Sequence, residues 1–237
     1  MSGYTKLGYG PHPNNHALHF NNPAADHPSN STLIYIHGGA WRDASRTAED
    51  VVPLSSLLNK EIPLASVEYR LTPEVKYPEH LNDVNSGIQK LIESQGIQRI
   101  SLLGHSVGAT LILQLLEAWN SAGRDLKSFV DSVYLVEGIY DLKELVKEYP
   151  TYEGFVNEAH DDYKALGELE VKLLKGLRVH VVHSYQDELL SLGQTNWLSE
   201  KLKDNEIEHN LFIGNLGLHD EVPSSAKLAE FVNTTFR

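Results

Sequence analysis

Residues 100–113 read ISLLGHSVGATLIL. A short apolar run, Arg99–Leu103, leads straight into Gly104-His105-Ser106-Val107-Gly108. An apolar stretch of helical character, Ala109–Trp119, leads straight out. A strand that turns sharply into a helix holds the intervening serine in a strained backbone conformation and lifts its hydroxyl clear of the sheet. Glycines at 104 and 108 let neighbouring segments approach where a Cβ would collide. The helix N-terminus behind the serine supplies free N–H groups and the positive end of a dipole. Alone, G-x-S-x-G is only moderately specific, because a glycine-rich strand-to-helix turn with an incidental serine also matches it. With the flanking strand and helix in place, Ser106 becomes a candidate nucleophile.

Further runs of the same character lie on either side. They are Thr32–His37 (TLIYIH), Leu64–Tyr69 (LASVEY), Ser132–Glu137 (SVYLVE), Arg178–His183 (RVHVVH) and His209–Ile213 (HNLFI). They are short and nearly continuous in apolar character, as strands covered on both faces are. Helical stretches around Thr47–Lys60 and Glu79–Ser94 alternate with them, which implies right-handed crossovers and a mostly parallel sheet. The expectation is a single α/β domain over residues 1–237, of the α/β-hydrolase fold, with helices on both faces of the sheet. Residues 1–30 are polar and read as an irregular segment or a short edge element. Residues 138–177 form a long, charged, Tyr-containing interval between two strands and read as a helical insertion over one end of the sheet.

Composition narrows the function. With 41% hydrophobic and 22% charged residues, the chain has enough apolar material for a sizeable core. A net charge of −12 argues against nucleic-acid and anionic-membrane partners, which need a basic stripe. The absence of cysteine removes disulfides, thiolate nucleophiles and zinc–thiolate sites. No secretory signal follows Met1, and no apolar run approaches the ~18 residues of a membrane span, so a cytoplasmic location is expected. Self-association as a homodimer is left open.

His37-Gly38-Gly39-Ala40-Trp41 closes the first confident strand. An HGG turn at this place aims backbone N–H groups at a substrate carbonyl oxygen. The expected oxyanion donors are Gly38, Gly39 or Ala40 together with Val107. His37 reads as a loop anchor and Trp41 as either pocket wall or core. In this fold the acid and then the base follow the serine. Of the two histidines late enough, His209 opens a strand, whereas His219 lies in the loop after the last strand, beside the carboxyl ends. His219 is therefore the expected base. Asp187, after RVHVVH, is the expected acid, and Asp141, after SVYLVE, is its rival. Glu188 reads as a solvated helix start, and His12, His16 and His19 as part of a solvated tail. No metal or organic cofactor is expected.

With these residues placed, the chain from about residue 31 onward resembles the fungal kynurenine formamidases (arylformamidases). The resemblance is carried by IYIHGGAW (34–41), VEYRLTPE (67–74), GHSVGAT (104–110), EGIYDLKELVKEYP (137–150), HSYQDELLSL (183–192) and LGLHDEV (216–222). HGG-x-W, G-H-S-x-G and YRL-x-PE are shared with esterases and lipases at large, whereas the stretches starting at 137 and 183 are narrower. The resemblance puts the catalytic serine, acid and histidine on Ser106, Asp187 and His219. It implies cleavage of N-formyl-L-kynurenine to L-kynurenine and formate, a step of tryptophan degradation leading toward NAD. Trp41, Tyr140 and the 138–177 insertion are candidates for holding the substrate. A short-chain carboxylesterase would use the same machinery, and a non-catalytic hydrolase-like binding protein is a third reading. Such a protein would be expected to lack a member of the triad, and here all three are present.

Overall fold

The computed structural model describes residues 3–21 and 31–237. Among these residues eight strands form one sheet: β1 (Tyr4–Gly8), β2 (His16–Phe20), β3 (Thr32–Ile36), β4 (Leu64–Val67), β5 (Ile100–His105), β6 (Val130–Val136), β7 (Arg178–Ser184) and β8 (His209–Gly214). Their order across the sheet is β1-β2-β4-β3-β5-β6-β7-β8. The first two pairings are antiparallel and the rest parallel. The helices are α1 (Val52–Ser55), α2 (Glu79–Gln95), α3 (Val107–Ser121), α4 (Leu126–Phe129), α5 (Leu142–Glu148), α6 (Glu153–Ala159), α7 (Leu192–Asp204) and α8 (Ala226–Thr235).

The strands read as unbroken apolar runs because both faces are covered. Ile34, Ile36, Leu102, Val133, Leu135, Val179 and Val181 enter one core, with α2, α3 and α7. Leu33, Tyr35, Leu103, Tyr134, Val136 and Val182 enter the other, with α1 and α8. This is the period of two expected of alternating side chains. Burying each large aliphatic side chain contributes about 1.5–3 kcal/mol, so the central strands carry much of the folding free energy.

Three expectations need correction. The described part of residues 1–30 is the edge element rather than the irregular segment: β1 and β2 pair as a hairpin at the end of the sheet, and β2 pairs with β4. The rest of that interval, residues 1–2 and 22–30, lies outside the described residues. His12, His16 and His19 do not form a tail: His16 and His19 lie in β2, and His12 bonds Glu74 at 3.0 Å. The helix expected over Thr47–Lys60 is instead a 3₁₀ turn, Ala48–Val51, followed by the single turn of α1. Pro53 has no N–H, so the α-helical ladder cannot run through from residue 49.

Between β6 and β7, α5, α6 and 3₁₀ turns at Pro150–Tyr152 and Val171–Leu174 occupy the long interval. Ile139, Leu145, Val156 and Tyr163 of this segment pack with Trp41 and Val107 in a third core beside the serine turn. Among the described residues no helix is long and apolar enough to cross a membrane.

Candidate active site

The parallel registers bring the strand ends into one row. Ile36 pairs with Gly104, His105 with Val136, Val136 with Val182, and Ser184 with Gly214. The loops leaving those ends carry Gly38–Trp41, Ser106, Glu137, Asp187 and His219, and so they emerge together.

Ser106 sits between β5 and α3 at φ 54°, ψ −123°, a region L-residues rarely enter. Its N–H donates to the Val136 carbonyl at 2.8 Å, and its own carbonyl accepts from the Ala109 N–H at 3.0 Å. These bonds hold the strained residue in place. Steric space, not backbone freedom, demands the flanking glycines. A Cβ on Gly104 would lie 2.5 Å from the Ala109 nitrogen, and one on Gly108 would fall on the Ile36 carbonyl.

The Gly-Gly loop abuts this turn. A Cβ on Gly38 would stand 3.0 Å from that of Ser106. Gly39, Ala40 and Trp41 take successive positive φ values of 98°, 49° and 61°. His37 anchors the loop: its Nδ1–H donates to the Gly38 carbonyl at 2.9 Å, its Nε2 lies 3.1 Å from Glu68, and its ring stacks on Tyr69. The Tyr69 hydroxyl donates to the His37 and Gly38 carbonyls. Among the described residues, no carbonyl or side chain takes the N–H of Gly39 or Ala40. The Val107 N–H, at the first helical position, has no partner within its helix.

Asp187 and His219 meet as expected of an acid and a base. The His219 Nδ1–H donates to Asp187 Oδ2 at 2.8 Å, and both side chains are buried. The bond places the proton on Nδ1 and leaves Nε2 as the basic nitrogen. The His219 ring packs against that of His105, next to Ser106, with centroids 4.6 Å apart. Asp187 Oδ1 accepts from the N–H groups of Leu189 and Leu190, each at 2.8 Å. Burial pushes the Asp187 carboxyl up. The bond to His219 and its charge, with the N–H groups of Leu190 and Leu189, outweigh that, and its pKa lies below the ordinary value.

The other acids and histidines settle into different places. Asp141 caps α5, accepting from the N–H groups of Lys143 and Glu144. His209 bonds Ser199 and the Ile207 carbonyl. Glu188 is not a solvated helix start: its carboxylate accepts the His219 N–H at 3.0 Å and fixes the backbone of the loop after β8. The Ser184 hydroxyl ties the two loops together, donating to the Gly217 carbonyl at 2.6 Å and accepting from the Leu216 N–H. His183 lies 3.6 Å from Asp187 and ties the loop after β7 to α7 through the Leu190 carbonyl and the Thr195 hydroxyl.

Sequence reasoning missed Glu137. It is fully buried at the end of β6, with φ 48°. Its Oε2 lies 3.3 Å from His105 Nε2 and 3.5 Å from His219 Nδ1, and its Oε1 accepts from the Ser184 N–H. Burial, with the Asp187 charge beside it, raises its pKa to about 9. Burial, then His219, lowers that of His105 well below the ordinary imidazole value. From pH 4.5 to 9 the folded chain therefore holds a proton on Glu137 that the unfolded chain has released, and stability falls as pH rises. Glu137→Gln removes this slope. Its melting temperature should exceed the wild type's at pH 8, with the gap closing toward pH 4, as calorimetry across pH would show.

Comparisons with known proteins show the family. The BD-FAE family model matches residues 18–153, which span the Gly-Gly loop and Ser106. The chain is 39% identical over 218 residues to the kynurenine formamidase of Eremothecium gossypii, covering 84% of this chain and 90% of that one. Against the kynurenine formamidase of Saccharomyces cerevisiae, it is 36% identical over 225 residues, covering 84% and 86%. The chain belongs to the fungal kynurenine formamidase family. Solved structures bear out the α/β-hydrolase fold of this family member. The tributyrin phosphonate structure of esterase B from Lactobacillus rhamnosis superposes with TM-score 0.78 at 17% identity, covering 98% of this chain and 84% of that one. An esterase/lipase from an uncultured bacterium superposes with TM-score 0.68 at 18% identity, covering 100% and 85%.

In this kynurenine formamidase family member, Trp41 is buried against Phe155 and the edge of His160, so it joins the insertion to the Gly-Gly loop. Tyr140 is buried too. Its hydroxyl accepts from the Gly138 N–H at 3.2 Å, and its ring lines a cavity of about 130 Å³ together with Thr110, Gln114, Glu117, Ile139 and Tyr163. Among the described residues, two trios could hold a cation: His105, Glu137, His219 and Glu137, His183, Asp187, each with donor atoms within 4.8 Å of one another. One includes His219 and the other Asp187, so a cation at either would compete with the Asp187–His219 bond.

Proposed function

We propose that this chain hydrolyses N-formyl-L-kynurenine to L-kynurenine and formate, a step of tryptophan degradation leading toward NAD, with Ser106, His219 and Asp187 as nucleophile, base and acid. The single observation that carries this reading is the 2.8 Å bond that gives His219 its tautomer while its ring packs beside the serine turn. Family membership supports the choice of substrate.

Ser106 Oγ attacks the formyl carbon as His219 Nε2 removes the hydroxyl proton. The carbonyl oxygen becomes an oxyanion, met by the N–H groups of Gly38, Gly39 or Ala40 and of Val107. Asp187 stabilises the imidazolium without taking its proton. The tetrahedral adduct collapses, the carbon–nitrogen bond breaks, and His219 passes its proton to the aryl amine, which leaves as L-kynurenine. A water then attacks the formyl ester on Ser106 with His219 again as base, releasing formate and restoring the serine. Each tetrahedral adduct uses the same N–H groups, and losing one such donor typically costs about 10²–10³ in kcat.

Formate release tests the assignment. N-Formyl-L-kynurenine should be turned over with a kcat/KM at least comparable to that of a p-nitrophenyl ester of a short acid, and EDTA should leave the rate unchanged. A formamide rate hundreds of times the poorer would replace this reading with that of a short-chain carboxylesterase.

A further inference from the structure

Glu137 opens the EGIYDL stretch, one of the narrower segments of the sequence, yet the steps above give it no task. Its carboxyl is fully buried, and all its described hydrogen-bond partners belong to the relay or to the strand end behind it. Oε1 is anchored by the Ser184 N–H at 3.1 Å, and Ser184 in turn holds the His219 loop through Gly217. Oε2 points between two imidazoles, 3.3 Å from His105 Nε2 and 3.5 Å from His219 Nδ1. The same Nδ1 carries the bond to Asp187. Two carboxyl groups, from the ends of adjacent strands β6 and β7, thus converge on one imidazole N–H.

We propose that Glu137 is a second acid of the His219 relay: a positioning residue that braces the imidazole beside Asp187 and accepts the Nδ1–H itself when Asp187 is removed. This rests on the reading of Ser106 and His219 as nucleophile and base.

The physics gives the two acids different shares. Two like charges this close cannot both form cheaply in a buried site, so one carboxyl ionises and the other stays protonated. Asp187 holds the shorter bond to His219 and two backbone N–H donors, which favour its anion. Burial and the Asp187 charge keep Glu137 neutral up to about pH 9. The groups facing Glu137 are His105 on β5, His183 on β7, Asp187 and Glu188 after β7, Tyr140 after β6, and His219 after β8. Removing the Asp187 charge lifts the main like-charge opposition to ionising Glu137. A movement of a few tenths of an ångström then brings its Oε2 to hydrogen-bond distance of His219.

The test is a double-mutant cycle on formate release, with Asp187→Ala, Glu137→Gln and the double variant. Glu137→Gln should cost about 3–10-fold and Asp187→Ala about 10²-fold, both in kcat with KM little changed. The double variant should fall a further ~30-fold or more below Asp187→Ala, because no acid is left for Nδ1. Proton NMR gives the second readout: the low-field imidazole N–H signal should persist in Asp187→Ala and vanish in the double variant. If Asp187→Ala does not fold, Asp187→Ser takes its place, since its hydroxyl can still accept from Leu189 and Leu190. A double variant within twofold of the Asp187 variant, or loss of the N–H signal on removing Asp187 alone, overturns the proposal. Ser106→Ala runs alongside: wild-type formate release from that variant would refute the nucleophile itself, a failure separate from that of Glu137.

Discussion

Ser106→Ala should lower kcat for N-formyl-L-kynurenine by about 10⁵–10⁶-fold and leave the fold intact. The size follows from the role. Without the hydroxyl there is no acyl-enzyme, and His219 and the oxyanion N–H groups can at best direct a water at the bound formyl carbon. In serine hydrolases such residual catalysis amounts to about 10³–10⁴ over the uncatalysed rate. The same loss should follow from His219→Ala, and the pair should not add, because either change removes the one proton transfer that activates the nucleophile. KM should change little, since neither side chain is asked to grip the kynurenine part of the substrate. Steady-state formate release by the three variants, with circular dichroism to verify folding, measures all of this. A Ser106→Ala rate within tenfold of the wild type would mean the chemistry runs elsewhere.

The second large effect is on stability. Gly108→Ala adds a single methyl group, and on an ordinary helix that would be favourable. Here the methyl would fall on the Ile36 carbonyl, with the His37 oxygen at 2.8 Å. Both obstacles are backbone at the end of a central strand, so neither can swing aside as a flexible side chain would. Either α3 lifts from β3 or the strand end moves. The expected cost is about 3 kcal/mol or more, at the top of the range for overpacking. That corresponds to roughly 6–12 °C in melting temperature for a chain of this size. Activity should fall as well, because lifting α3 displaces the Val107 N–H and the serine turn. Differential scanning calorimetry checks the first effect, and formate release at a temperature below both melting points checks the second. An unchanged melting temperature would mean that β3 and α3 are not in this contact.

What could be read in the sequence depended on whether the physics was local. The serine turn is written in five consecutive residues, because a strand, a strained serine and a helix must meet within that span and two glycines must clear the way. His219 and Asp187 could be placed because strand endings are marked by loss of apolar character. The hairpin of β1 and β2 was obscure for the converse reason. β1 is a mostly exposed edge strand whose residues show no apolar period, and its pairing partner lies across the seven-residue connection YGPHPNN (9–15). The break at Pro53 was visible in principle, since a proline at the seventh position of a helical pattern ends the ladder. Glu137 and Glu188 were legible only in three dimensions. Each is an acid at a strand or loop boundary, where charged residues are ordinary, and only the register of β6 against β7 shows that both face His219. Trp41 belongs to the same class, because its burial is supplied by Phe155 and His160 from an insertion more than a hundred residues away.

The most direct test of the relay is where, and whether, a fluorophosphonate reacts. Phosphonylation requires a nucleophilic hydroxyl, a base to take its proton and N–H groups to receive the developing oxyanion, and it requires nothing of the acyl pocket. Peptide mapping by mass spectrometry should find one adduct on the wild type, on the peptide containing Ser106, and labelling of His219→Ala should be slower by at least a thousandfold. An adduct on another residue, or equal labelling of wild type and His219→Ala, would contradict the account.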